Sequence, residues 1–538
     1  MKNLIKKYII IKKLINFNTL IKKYRIIKNL INFNKKIFIN KINKNNGLIL
    51  IEYFNFYPSM ITFSIFSQIL SKKYNSKIVA FNPKQILIKR RIISFFYNLP
   101  ISFWRIFKSF GAKSLITPSN DKKKYLKKVQ ALMSSIKSKQ DLLDLKLENI
   151  YVGDLFYDEY LASKSKSTLD LKDKSFEDFF LEAVSLFYYW HNFYLNNKVN
   201  AVILSHSVYL IGLCGRIAIF NNIPVYEVSA KFAYFLDKNN FIKYSNWLSY
   251  KNEFDKLNPE SKKKLKDISK DQFKLRLSGL NDIKLNEDQA TEAKIYGKVD
   301  DTKKVLNKTV NKTKVLIAAH CFQDAVHAFG NDILFVDFHE WIDFLGKKSE
   351  KLLNFDWYLK LHPAVYSRNI KHAEYFTRKY PRINFLPKET TNTQLIHEGI
   401  SVVLTCYGSV GHEYPAFGIP VVNAASNGPH KCYGFNIYPN NVLEYSKYID
   451  QLDRFKIENV EDVKDKIYEM YAMRYIMQYS PLENIVDVSQ EQGHHFDDSV
   501  DVIKYWLNTA NIERIDRLKK DYTNFIESKK FKMTPIDY

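Results

Sequence analysis

"ISVVLTCYGSVGHEYPAFGIPVVNAA", residues 400–425, sets two apolar runs on either side of a Tyr-Gly-Ser turn. Each run is short, rich in Val and Ile, and bounded by Gly or Pro, the pattern of a strand buried on both faces. A short helix fits between them, and strand, helix, strand in that order reads as one βαβ unit of a parallel sheet. Ligands of such sheets gather at the carboxyl ends of the strands, which puts Tyr407, Gly408 and Ser409 at the mouth of a site. Gly408 suits a positive φ or a close ligand approach, and Ser409 suits a helix N-cap. Free N–H groups at that point favour a phosphate. Glu413 does not, but an ionised acid there accepts hydrogen bonds from the two hydroxyls of a ribose.

The alternation continues outward. Upstream lie "TKVLIAAH" (313–320), a helical "FVDFHEWIDFLGKKSEKLL" (335–353), "DWYLKLHP" (356–363), "INFLP" (383–387) and a helical "TTNTQLIHEG" (390–399). An earlier unit reads as strand 47–53, turn 55–58, helix 59–73 and strand 77–81, and another spans 198–228. The stretch 53–71 has no charged residue over nearly the length of a membrane span, but Asn55, Pro58, Gln68 and its serines favour a buried helix. Residues 121–148 read as charged and helical, 251–312 as a polar interdomain linker, and 437–538 as a helical tail. The expected fold is α/β, with two Rossmann-like domains facing a cleft. Its parts are a basic segment 1–46, a first Rossmann-like domain 47–300, a second Rossmann-like domain 301–436 and the helical region 437–538.

The chain has 538 residues, 46% of them apolar, enough to bury more than one core. Its four cysteines form no C-x-x-C pair, which suggests neither a disulfide framework nor a zinc site and fits a reducing cytoplasm. The net charge of +26 points to phosphate-bearing partners or an anionic surface, with part of the lysine excess being ordinary solvated surface. No helix-turn-helix, zinc-finger or RNP signature supports nucleic-acid binding. The basic excess is concentrated at the N-terminus, where "IKKYIIIKKLINFN" (5–18) returns as "IKKYRIIKNLINFN" (21–34). That repeat forms an amphipathic stretch able to lie on anionic lipid, at the inner face of the plasma membrane.

A second motif is "YLKLHP" (358–363), in which Pro363 ends the strand and leaves Lys360 and His362 at its terminus, where an imidazole can donate to a phosphate. After "TKVLIAAH", the residues His320, Asp324 and His327 sit on an expected cleft loop. With His339 nearby they admit a metal reading, but contact with the donor sugar or its phosphate is preferred and no metal is assigned. A general base is sought in the first half. Asp154 comes first, with Asp158 one turn on and close enough to raise one pKa; His206 comes second, and Glu52 also ends a strand. Arg216, inside an apolar helix, reaches an anionic acceptor or pairs with an acid.

Taken with "GSVGHEYPAFGIPVV", "KLHP", "HCFQDAVHAFGNDILFVDFHEWI", "SHSVYLIGLCGRIAIFNNIPVY" and "YVGDLFYD", the sequence resembles bacterial capsule and surface-polysaccharide biosynthesis proteins of the GT-B glycosyltransferase architecture over roughly residues 47–436. Their relatives include Kdo transferases, sialyltransferases with an HP motif, and polyol-phosphate polymerases using CDP-glycerol. The resemblance implies a metal-independent enzyme without a cofactor, whose C-terminal half binds a nucleotide-activated sugar. Its N-terminal half would bind a glycan or lipid-linked acceptor and supply the base. It puts His362 and Ser409 on the donor phosphates and Glu413 on the ribose. Rival activities on the same scaffold are a CDP-glycerol-type polyol phosphotransferase and a sugar-nucleotide 2-epimerase.

Overall fold

The computed structural model describes residues 17–38, 46–84, 102–119, 122–242, 246–279, 295–307, 309, 311–328, 332–363, 366–482 and 500–535. Its first sheet is built from β1 (Leu48–Glu52), β2 (Lys77–Phe81), β3 (Leu115–Ile116), β6 (Val199–Leu204), β7 (Val225–Val228) and β8 (Ala233–Leu236). Between β3 and β6 the chain makes a small hairpin, β4 (Lys146–Leu147) and β5 (Ile150–Tyr151). A second sheet holds β9 (Thr313–Ala318), β10 (Phe355–Lys360), β11 (Ile383–Phe385), β12 (Val402–Thr405) and β13 (Val421–Asn423).

The strand orders are β3-β2-β1-β6-β7-β8 and β11-β10-β9-β12-β13. Within these two sheets, among the described residues, every strand pairing is parallel except β7 with β8. Each order reverses once, between β1 and β6 in the first sheet and between β9 and β12 in the second. In doubly wound sheets the crevice opens at such a reversal. Two Rossmann-like halves of this kind, followed by helices, make the GT-B architecture expected from the sequence. β1, β2, β6, β7 and β9 to β13 fall on the expected runs because Val, Ile and Leu are buried on both faces of a covered sheet, while β3 and β8 were not expected.

The uncharged stretch after β1 forms the helix Tyr57–Tyr74, buried on most of its circumference between the first sheet and the helix Ile512–Ser528. Phe66 rests against Tyr226, Tyr522 and Phe525 at ring-centroid distances of 5.1, 5.3 and 6.5 Å. Truncating a buried aromatic of this kind costs about 3–5 kcal/mol. Among the described residues no helix is long and apolar enough to cross a membrane.

Two expectations are revised. The second copy of the basic repeat falls in the helix Phe17–Ile37, but its apolar stripe of Ile26, Ile27 and Leu30 is buried against the helices Phe103–Ser109 and Val500–Thr509 rather than open to lipid. Lys22, Arg25, Lys28, Lys35 and Lys36 face outward, while most of the first copy lies outside the described residues. The tract 251–312 is more than a linker. Asn258 caps a helix, Pro259–Leu277, that buries Leu265, Ser269, Phe273 and Arg276 and packs on the helix Val460–Tyr471. The tail, helical as expected, returns to the first sheet, where Phe531 accepts from Phe235 N–H and Met533 N–H donates to Ala233, both at 2.9 Å.

Candidate active site between the two sheets

At the reversal point of the second sheet, His320 follows β9 and lies beside the turn that leaves β12. Its Nε2 accepts from the backbone N–H groups of Cys406 and Tyr407 at 3.2 Å and lies 3.1 Å from Thr405 Oγ1. Those donors need an unprotonated Nε2, and burial, with His362 adding to it, lowers the pKa of His320 to about 3. Phe338 stacks on the ring at 4.7 Å. His320 therefore holds the turn from within, and this revises its expected contact with the donor. Gly408 has no positive φ; it is glycine because a Cβ there would lie 2.8 Å from Thr405 Oγ1.

The 409–413 turn is held from the other side by Arg276. Arg276 Nε donates to Glu413 Oε1 at 2.8 Å, with Nη2 also 2.8 Å from that oxygen, and Nη2 donates to Ser409 Oγ at 3.1 Å. Tyr296 OH and Asn392 Nδ2 donate to Glu413 Oε2 at 2.7 and 3.4 Å. Glu413 is fully buried and accepts from Arg276, Tyr296 and Asn392. Where a ribose contact was expected, its carboxylate holds these three side chains together. Ser409 likewise does not cap the following helix, which is only four residues long.

Lys360, the last residue of β10, is 9% exposed, and burial lowers its pKa to about 8 against the opposing pull of Glu413. Among the described residues no carboxylate lies within ion-pair distance of its ammonium. His362, two residues on, is exposed. Its pKa is nevertheless lowered, first by the surrounding protein and then by Lys360, while Asp324 and Glu413 raise it and Arg276 lowers it further. Lys360, His362, Arg276 and Ser409 thus form one cationic and hydrogen-bonding corner at the carboxyl ends of β10 and β12.

The two expected carboxylates of the first half are engaged elsewhere. Asp154 is buried and takes both Nη groups of Arg216, at 3.0 and 2.7 Å, so it is revised from base to fold-holding partner. Asp158 crosses to the second half, accepting from His327 N–H at 3.0 Å with His327 Nδ1 at 2.6 Å, while His327 Nε2 lies 2.9 Å from Val336 O. His327 belongs to this buried seam and not to a donor pocket. Burial alone would lower its pKa; the Asp158 carboxylate overrides that and raises it. Asp324 is exposed and accepts from Tyr209 OH at 2.7 Å, a second contact between halves. Tyr209 has φ 54° and ψ −169°, a conformation strained for any residue but glycine. His339 turns to Ser167 Oγ at 3.0 Å, so the histidine and aspartate groups near 320–339 diverge. Among the described residues none forms a metal-binding cluster.

At the reversal point of the first sheet, His206 is exposed directly after β6, with Nδ1 2.9 Å from Ser205 Oγ and the Phe54 ring edge-on at 5.8 Å. Of the expected bases it is the one whose imidazole is open to a substrate. Arg276 and Tyr296 were not expected in the site. The Asn-Pro start and the Leu265, Phe273 and Arg276 spacing of that helix were present in the sequence but submerged among its lysines.

The sequence matches no protein-family model and no curated protein. Among solved structures it is similar to UDP-GlcNAc 2-epimerase from Neisseria meningitidis bound to UDP-GlcNAc, at 11% identity over 78% of this chain and 96% of that one, with a TM-score of 0.20. The Methanocaldococcus jannaschii UDP-GlcNAc 2-epimerase in complex with UDP-GlcNAc and UDP gives 10% identity, 78% and 97% coverage and a TM-score of 0.23. A glycotransferase of kitacinnamycin gives 10% identity, 84% and 100% coverage and a TM-score of 0.25. At such TM-scores the chemistry assigned to this chain rests on the geometry of its own site.

Proposed function

We propose that the chain is a nucleotide-sugar enzyme of GT-B architecture, and more narrowly a glycosyltransferase of surface polysaccharide synthesis. The donor diphosphate sits against Lys360, His362, Arg276 and Ser409, and the acceptor hydroxyl meets His206 across the cleft. The observation that carries this reading is Lys360: a buried ammonium with no carboxylate in ion-pair range among the described residues, at the carboxyl end of β10. A buried cation so placed is stabilised by an anionic ligand. His206 takes the acceptor proton as its oxygen attacks the anomeric carbon, while the cationic corner stabilises the charge left on the departing phosphate. The lysines on the outer face of the helix Phe17–Ile37 support attraction to an anionic membrane surface at the cytoplasmic face.

A thermal-shift screen against CMP, CDP, UDP, GDP and dTDP tests the donor half. One nucleotide is expected to stabilise the protein, and Lys360→Met to abolish that response; no response to any of the five refutes the reading. Turnover of the cognate sugar nucleotide without an acceptor assigns the chain to the epimerases, and incorporation of glycerol phosphate to the polyol phosphotransferases.

A further inference from the structure

β1 and β6 end side by side at the reversal point, and the last residue of β1 is a buried acid. Glu52 is 2% exposed, and its Oε2 accepts two hydrogen bonds from one residue: Ser205 N–H at 2.7 Å and Ser205 Oγ–H at 2.8 Å. The same Oγ lies 2.9 Å from His206 Nδ1. A hydroxyl has a single proton. With that proton committed to Glu52, the contact to His206 is made by Nδ1–H donating to Oγ, and Nε2 is left unprotonated.

We propose that Glu52 is the positioning residue of His206: acting through the Ser205 hydroxyl, it fixes the imidazole as the Nδ1–H tautomer, so that Nε2 is the basic nitrogen. The role as base rests on the function proposed above; the tautomer does not.

The surroundings of Glu52 suit such a switchable acceptor. Glu227 on β7, also buried, and Cys214 on the helix Leu213–Phe220 lie within electrostatic reach of it. Burial, with Glu227 adding to it, raises the pKa of Glu52 to about 7, while the two Ser205 hydrogen bonds oppose the rise. Once Glu52 is protonated it no longer requires the Ser205 proton. Oγ–H then turns to Nδ1, which leaves the proton of the neutral ring on Nε2, where it can only donate. Ionised Glu52 is therefore the condition under which His206 accepts a proton from a substrate.

The test needs no substrate. In the full chain labelled with 15N-histidine, long-range 1H–15N correlation spectra at pH 8 read the tautomer of each neutral ring, and His206→Gln identifies the His206 signal. The expected result is Nδ1–H for His206 in the wild type. Ser205→Ala and Glu52→Leu, each removing one link, are each expected to shift the ratio at least tenfold toward Nε2–H, while Ser205→Thr keeps Nδ1–H. An Nε2–H ring in the wild type, or a ratio unmoved in either folded variant, overturns the proposal. Loss of transfer in His206→Gln tests the function separately, so failure of the relay and failure of the transferase reading are told apart.

Discussion

Arg276 and Glu413 stand 137 positions apart, yet the Nε and Nη2 atoms of the one are both 2.8 Å from Oε1 of the other, in the buried floor of the cleft. This pair ties the helix Pro259–Leu277 to the turn after β12 and makes the polar tract between the sheets part of the site. It also fixes Ser409, because the same guanidinium donates to its hydroxyl.

Removing the cation strands a buried carboxylate. Arg276→Ala is expected to lower stability by about 3–5 kcal/mol, measured by urea unfolding. Arg276→Lys recovers only part of it, because an ammonium does not reproduce the guanidinium fork.

Lys360 makes ligand binding proton-linked. Its pKa of about 8 lies below the ordinary lysine value, so a bound phosphate that favours the ammonium raises it and draws a proton from solution. Calorimetry of the cognate nucleotide at pH 8, in two buffers of different ionisation enthalpy, is expected to show net proton uptake that Lys360→Met removes. That variant is also expected to bind roughly 10–100-fold more weakly, the loss of a charge-assisted contact. Without ligand the unfolded chain holds the Lys360 proton that the folded one sheds between pH 8 and 10.5, so this group's contribution to stability rises across that window.

Glu52 gives the opposite slope on the acid side. Its pKa is about 7 in the fold against 4.5 for the unperturbed group, so between those values the folded chain binds more protons than the unfolded one. Stability from this group is full below pH 4.5 and falls by about 3 kcal/mol as pH rises through 7. Denaturation midpoints between pH 5 and 8 are expected to flatten in Glu52→Gln; an unchanged slope counts against the burial of an ionisable Glu52.

The Asp158 and His327 pair joins the two halves in a dry seam, both side chains being almost wholly buried. His327→Ala leaves an acid facing a void, with an expected loss of about 3–5 kcal/mol. The double variant Asp158→Asn/His327→Ala is expected to recover part of that loss in the same unfolding assay, because the uncompensated charge is gone.

The strands were legible because a sheet covered on both faces demands uninterrupted Val, Ile and Leu, and residues 199–204 and 402–405 supply them. Position at a strand end was legible too: Lys360 ends β10, and His206 and His362 follow the ends of β6 and β10. Partnership was not. Nothing local to Asp154 announces Arg216, and nothing around Glu413 announces an arginine from the lysine-rich helix, since such pairs are set by tertiary packing. The need for glycine at 408 is clearance from the Thr405 side chain three positions upstream, and not a positive φ.

The return of Phe531 and Met533 to β8 has a consequence for biosynthesis. Residues 531–533 follow β8 at a long distance in sequence, so the outer N–H and C=O groups of β8 stay unpaired until that segment has been made. Until then the nascent chain carries an open edge ready for intermolecular pairing. Loss of residues 531–533 would make that exposure permanent, turning a late-folding segment into the guard against aggregation.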